Sequence, residues 1–137
     1  MEKILPTRGQ LERQLSQTLQ LIYRQQFGHS VSKVSCHIFD NKVAIIAEDT
    51  ITDIEKSLLG SLQLELVSSI RTVICKTFKV HVKQAIADVL HVEAIELLGS
   101  FNIDSGYLSM LVILNNAPEI RLVKSHYHKN NNYTADN

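Results

Sequence analysis

The residues most able to do chemistry form an acidic, threonine-rich cluster where an apolar run ends. Glu48 and Asp49 are followed by Thr52, Asp53 and Glu55. Two carboxylates could act as an acid and a base, but neighbours in a strand point to opposite faces, so Glu48 and Asp49 do not form such a pair. Thr52 and Glu55 match the capping box, in which each side chain bonds to the other residue's backbone N–H. The pattern therefore predicts the start of a helix.

Arg71 is the basic residue that could complete a site with this cluster. It lies in an apolar-rich segment, between Ile70 and Thr72. Three interpretations stay open: an ion pair with a carboxylate of the capping region, a role in anion binding, or a plain surface position. If the chain has a ligand pocket, we expect Arg71, Thr52 and Glu55 to contribute to it.

The cysteines and histidines lack the spacing of a metal or nucleophile site. Cys36 and His37 are neighbours in a strand pattern and therefore point to opposite faces. Cys75 is distant in sequence, and there is no CxxC motif, phosphate loop or HExxH motif. His126 and His128 could hold a transition metal only weakly. We therefore predict no catalytic residues, no metal site, no cofactor and two reduced thiols.

Apolar periodicity predicts the elements that position these groups. Spacings of three and four residues predict helices over 8–27 and 62–90, and alternation predicts hairpins over 34–48 and 92–114. A short helix runs from the capping box to Gly60. The order α-β-β-α-α-β-β predicts an α+β fold, a two-layer sandwich whose four-stranded antiparallel sheet packs against the long helix and the N-terminal helix. Gly99-Ser100 predicts a bulge in the third strand.

A second apolar stripe on the long helix predicts an interface. Leu66, Val73 and Val80 lie beside the main apolar stripe and widen it. A long helix with a broad apolar arc often forms a dimer interface as well as part of the core. We expect a homodimer, and a monomer with a long core helix is the alternative.

Length and composition indicate a single globular domain. The chain has 137 residues, of which 45% are hydrophobic and 20% charged, and its formal net charge is zero. We predict a flexible leader at 1–7, one domain over 8–121 and a disordered polar tail at 122–137. The neutral charge disfavours nucleic-acid binding. Since there is no signal-peptide pattern and no apolar run of about 20 residues, we expect a cytoplasmic protein without direct membrane insertion.

Several segments together resemble the MpsC-like family. They are RGQLERQLSQ, VSCHIFDNKVAIIAEDTITDIEKSLL, SSIRTV and VLHVEAIELLG, and the resemblance covers about residues 8–121. Its most specific elements are the acidic strand end that leads into Thr52 and Glu55, and Arg71 in the long helix. The segments GQLERQLSQ and LIYRQQFGH look most similar to cyanobacterial members. The family is named for a sodium-translocating, membrane-potential-generating system, and the resemblance implies no catalytic residues.

The resemblance implies a function linked to membrane proteins for cation translocation or inorganic-carbon uptake. We expect a non-enzymatic cytoplasmic accessory or regulatory protein that acts by protein contact on a membrane ion-transport or bioenergetic system, with a transporter subunit as its partner. The alternative is a module that senses a small anion or a nucleotide near Arg71 and Thr52. A nucleic-acid-binding module ranks lower because the chain is neutral.

Overall fold

The chain folds in the predicted order α-β-β-α-α-β-β over residues 4–123, the part that the computed structural model describes. The elements are α1 (Arg8–Phe27), β1 (Lys33–Phe39), β2 (Lys42–Glu48), α2 (Asp53–Gly60), α3 (Leu64–Leu90), β3 (Ala94–Asn102) and β4 (Tyr107–Leu114). The predicted α+β class and element order are confirmed. The first residues of the expected leader (1–3) and most of the expected tail (124–137) lie outside the described residues.

The four strands form one open antiparallel sheet in the order β1-β2-β4-β3. The first hairpin closes as predicted at Asp40 and Asn41, with Phe39 opposite Lys42. Asp40 has φ 57°, a left-handed conformation that a short polar side chain tolerates. β2 and β4 are the central strands, although nearly sixty residues separate them, so the two hairpins pair through their second strands.

The bulge expected at Gly99-Ser100 was wrong. The irregular register of β3 lies between Ala94 and Glu96, while Gly99 pairs regularly with Met110. Glycine suits position 99 for another reason, because a Cβ there would lie 3.3 Å from Lys79 Cε. The side chain of Lys79 therefore crosses β3 where that strand has no side chain.

The core lies between the helices and one face of the sheet. β1, β2 and β4 bury alternate residues, and their register places these on the same face. α1 contributes its four-residue stripe and α3 its long one to this single cluster. The buried residues of α1 are Leu11, Leu15, Leu19 and Tyr23. Burying such stripes is the main source of stability for both helices.

The opposite face of the sheet, here called the outer face, is not covered by any element within residues 4–123. Several of its positions are nevertheless apolar, although Ser109 and Ser100 lie in the row of Ile46. The apolar residues come from three adjacent strands: Ala44, Ile46, Leu98, Leu111 and Ile113. Ile46 is 37% exposed and Leu98 is 54% exposed. The sandwich has two layers, and the second face of its sheet is left partly apolar.

Helix α3 has one buried side and one exposed side, and both carry apolar residues. It buries residues along one side, whereas the second stripe of Leu66, Val73 and Val80 is 48%, 63% and 69% exposed. In the part of the chain that is described, no helix combines the length and apolarity needed to cross a bilayer.

The buried thiol of Cys36 makes stability sensitive to alkaline pH. Burial raises the pKa of Cys36 to about 11 from its ordinary 9.0. Since the folded state holds this proton more tightly, the stabilisation is complete below pH 9 and is lost as pH rises toward 11. We expect Cys36 to account for a loss of about 2 to 3 kcal/mol in the free energy of unfolding across that window.

Urea unfolding at pH 8 and pH 10.5 measures this loss. The Cys36→Ala variant is the control, because it lacks the thiol but keeps every other alkaline group. Its free energy of unfolding should fall less than that of the unsubstituted chain. An equal fall in both proteins would contradict the assignment.

Candidate functional site

The three residues expected to form a site, Arg71, Thr52 and Glu55, lie in direct contact. Arg71 binds the Glu55 carboxylate in a bidentate manner. Its Nε donates to Oε2 at 2.9 Å, and its Nη2 donates to Oε1 at 2.6 Å. Thr52 Oγ1 donates to the same Oε1 at 2.8 Å. Glu55 is 0% exposed and Arg71 is 6% exposed. Arg71 is thus in a buried ion pair and not at the surface, while its ligand-binding role stays a prediction.

The predicted capping box holds Glu55 in place. Thr52 is the N-cap of α2, and its backbone N–H donates to Glu55 Oε1 at 3.0 Å. The Glu55 N–H donates in return to Thr52 Oγ1 at 3.4 Å. Glu55 therefore caps the positive end of α2 and neutralises Arg71 at the same time.

Two further groups complete the network, and the sequence interpretation missed both. The Tyr23 hydroxyl accepts from Arg71 Nη1 at 3.2 Å and donates to the Thr50 carbonyl oxygen at 2.5 Å. Arg71 Nη2 donates to the same carbonyl at 3.0 Å. A signal for Tyr23 existed, since it continues the four-residue spacing four positions after Leu19. No sequence signal pointed to Thr50, because the acceptor for Tyr23 and Arg71 is its backbone carbonyl oxygen.

Thr50 joins the network to the turn of the second hairpin. Its N–H and its hydroxyl both donate to the Gly106 carbonyl oxygen, at 3.0 and 2.8 Å. Gly106 has φ 73°, which glycine adopts without strain. We define the network as Tyr23, Thr50, Thr52, Glu55 and Arg71. It joins α1, α2 and α3 to the end of the first hairpin and, through Gly106, to the turn of the second.

The electrostatics of this network favour a fixed structure. Burial disfavours the charged guanidinium, but Tyr23 and Glu55 hold the pKa of Arg71 above its ordinary value. Burial also raises the pKa of Tyr23, and the charge of Arg71 offsets only part of this effect. Tyr23 therefore stays protonated at neutral pH and acts as a hydrogen-bond donor. The ring of Phe101 lies 3.9 Å from Arg71 Cζ and adds a cation–π contact.

Four of the five N–H groups of a guanidinium are used here within the protein. An anion that approached Arg71 would have to compete with Glu55, which already supplies the matching charge. The arrangement is suited to holding elements together, and it offers no free base or nucleophile.

The remaining candidates are not brought together. Cys36 is buried and His37 exposed, on opposite faces as predicted. Asp49 lies beyond the end of β2 with φ 59°, and its carbonyl oxygen is 2.7 Å from His29 Nε2. Over residues 4–123, no three histidine, cysteine or acidic residues are grouped so as to hold a metal ion. His126 and His128 lie outside the described residues.

A groove opens beside the network between α3, the end of α2 and the end of β3. We call it the α3–β3 groove; it encloses about 570 Å³. Its lining is mostly apolar, and it includes Arg71, Cys75 and Phe101. Lys76 and Lys79 also line it, and Lys76 is exposed. Burial raises the pKa of the Cys75 thiol, with Arg71 opposing the shift, so this cysteine is no activated nucleophile.

We predict that Arg71 and Glu55 contribute to the free energy of unfolding as a pair and not independently. Glu55→Gln leaves Arg71 buried without a counter-charge, and Arg71→Met leaves Glu55 in the same condition. Each change should cost about 3 to 5 kcal/mol in the free energy of unfolding. The double variant should cost much less than the sum, because no unpaired charge remains.

Urea unfolding of the four proteins in this cycle measures the coupling. Glu65→Gln is the matched control, since Glu65 lies exposed in the first turn of α3 and its loss should change stability by less than about 0.5 kcal/mol. Additive single-variant losses would show that the pair is not the unit that stabilises the fold.

Comparison with known proteins identifies the family. A family model described as Na+-translocating membrane potential-generating system (MpsC) matches residues 7–116. No curated protein and no solved structure matches the chain. The match spans all seven elements and the whole network. It confirms the resemblance found in the sequence. The similarity to cyanobacterial members stays a prediction. Because the matched residues are well over half of the chain, the protein belongs to the MpsC family.

Proposed function

We propose that this protein is a non-enzymatic, cytoplasmic accessory or regulatory component of a membrane system that translocates Na+ and generates membrane potential. Membership of the MpsC family supports the link to such a system. The protein acts by contact with a membrane-transporter subunit, since the network around Arg71 fixes structure and offers no reactive group. The observation that carries the proposal is the apolar outer face of the sheet.

The outer face has the properties of a contact surface. Ala44, Leu111 and Leu98 lie side by side on β2, β4 and β3, and Ile46 is the next outward-facing residue of β2. A contiguous apolar patch on a sheet is costly to leave in water and marks an interaction site when polar residues surround it. Lys42 and Glu96 lie at one end of this patch, in the row that passes through Ile113. The surface is rigid because the hydrogen bonds of the sheet fix its backbone, so a partner can dock without ordering it first.

We expect the double variant Ile46→Glu with Leu98→Glu to abolish the accessory function while the fold stays intact. Both side chains are partly exposed, so the substitutions place charge on the surface and not in the core. In cells that lack this chain but keep its membrane system, Na+-dependent membrane potential is measured with a potential-sensitive dye. The unsubstituted gene should restore the potential, and the double variant should not.

Gln17→Glu is the matched control, because it adds a carboxylate at an exposed position of α1, on the other side of the sandwich. It should restore the potential at equal protein level. Restoration by the double variant would show that the outer face is not the contact surface. An unchanged potential in cells without the chain would contradict the accessory role itself.

We also propose that the protein is a homodimer that pairs through the second stripe of α3. Leu66, Val73 and Val80 follow one another at seven-residue spacing on the exposed side of the helix. This spacing keeps them on one seam of a helix that packs against another helix. Zero net charge gives little repulsion between copies.

Sedimentation equilibrium tests the dimer. The unsubstituted chain should sediment at twice its monomer mass of 15.5 kDa, and Val73→Glu should sediment as a monomer. Gln17→Glu should remain dimeric. A monomeric unsubstituted chain would reject the dimer, and a dimeric Val73→Glu variant would reject this seam.

The alternative function is a module that senses a small anion or a nucleotide near Arg71 and Thr52. The α3–β3 groove beside Arg71 favours it, because Lys76 and Lys79 give the groove positive charge. Anion binding at the Arg71 guanidinium itself is disfavoured, because the Glu55 carboxylate already occupies that position. A rise in melting temperature with bicarbonate or a nucleotide would support the alternative, since ligands that bind only the folded state stabilise it.

A further inference from the structure

The α3–β3 groove extends along one helix. Its lining residues on α3 run from Leu64 to Lys79. At 1.5 Å per residue this distance is about 22 Å, or four turns. Together with a volume of about 570 Å³, this length suits an extended chain better than a compact ring.

One end of the groove is apolar. Leu59 at the end of α2 and Leu64 at the start of α3 form this end, and Val67 and Ile103 continue it. Leu64 is 61% exposed, so a ligand that covers its side chain would bury apolar surface, which favours binding. The hydroxyl of Thr72 donates to the Ser68 carbonyl oxygen at 2.9 Å and is thereby occupied within the helix. Few polar groups along this part of the groove need a polar partner.

The other end of the groove carries positive charge. Lys76 and Lys79 are three residues apart on α3, so they lie on the same side of the helix. Among residues 4–123 neither lysine has a carboxylate within 4.0 Å, and no acidic residue lines the groove. The single ion pair within these residues is that of Arg71, so no nearby carboxylate compensates the charge of the two groove lysines.

The backbone of β3 helps to position this charge. Lys79 lies across Gly99, with Nζ 3.9 Å from the point that a Cβ would occupy. The stem of Lys79 is thus in contact with the strand while its ammonium group remains at the groove. Phe101, stacked on Arg71, provides an apolar surface close by.

We propose that the α3–β3 groove binds a single-chain amphipathic anion, an unbranched apolar chain that ends in one carboxylate. The chain lies along α3 toward Leu64 and Leu59, and the carboxylate lies between Lys76 and Lys79. A small inorganic anion would leave the apolar length unused, and a cationic or neutral chain would leave the lysines unpaired. This ligand site is separate from the outer face, so its failure would not affect the accessory function.

Calorimetric titration with dodecanoate, below the concentration at which it forms micelles, tests the site. We expect saturable binding of one molecule per chain. Dodecyltrimethylammonium, with the same chain and the opposite charge, should bind much more weakly. Acetate, with the carboxylate but no chain, should give no measurable binding. Equal binding of the two twelve-carbon probes, or no saturable binding of dodecanoate, would overturn the proposal.

Variants locate the two ends of the ligand. Lys76→Glu with Lys79→Glu should weaken dodecanoate binding by at least about tenfold, because two charge-assisted contacts are lost. Leu64→Ser should also weaken it by removing the apolar contact at the other end. Lys83→Glu is the matched control, since it reverses an exposed charge on α3 outside the groove and should leave affinity unchanged. Unchanged affinity in both groove variants would reject the site.

Cysteine alkylation gives an independent readout of position. Cys75 lines the groove and Cys36 is buried in the core, so each serves as a reporter in the same protein. Dodecanoate should slow alkylation of Cys75 by N-ethylmaleimide more than alkylation of Cys36, whose rate reports only the opening of the fold. Saturable binding without protection of Cys75 would place the ligand elsewhere and overturn the assignment.

Discussion

The buried pair of Arg71 and Glu55 is the interaction on which the rest of the structure depends. Two charges removed from water are tolerable only if every donor and acceptor around them is satisfied. Tyr23, Thr50 and Thr52 supply these partners, and within residues 4–123 no buried side-chain polar atom lacks one. Because the partners come from different elements, satisfying the pair fixes the relative positions of α1, α2, α3 and both hairpins.

The network also explains which surfaces remain for function. Glu55 neutralises Arg71, so the unpaired positive charge of the α3–β3 groove lies further along α3, at Lys76 and Lys79. The helices cover one face of the sheet and leave the outer face partly apolar. Within residues 4–123, three surfaces are not covered by the helices and strands of the fold: the outer face, the second stripe of α3 and the α3–β3 groove.

These surfaces are the basis of the proposal that this member of the MpsC family acts by protein contact. The outer face belongs to the sheet, and the second stripe of α3 belongs to the helical layer, so the two proposed contacts use separate surfaces. The groove lies beside the network, between α3 and β3. A ligand there would contact Phe101 and Cys75, next to the ion pair that joins the helices, and would stabilise the folded state by mass action.

The sequence by itself determined the local structure, meaning the helices, strands, caps and turns that depend on residues close together in the chain. Periodicity gave the helices and strands in their order, Thr52 and Glu55 gave the capping box, and Asp40-Asn41 gave the first turn, because each signal is contained within a few residues. Tertiary structure alone decided the pairing of β2 with β4, the place of the bulge in β3, and the partners of Arg71. The ion pair with a carboxylate of the capping region was one of the interpretations that the sequence left open, and the fold selected Glu55 for it. The other partners are a tyrosine 48 residues away and a backbone carbonyl 21 residues away. Such contacts arise only when the packed elements meet, and a carbonyl group carries no side-chain identity that a sequence could reveal.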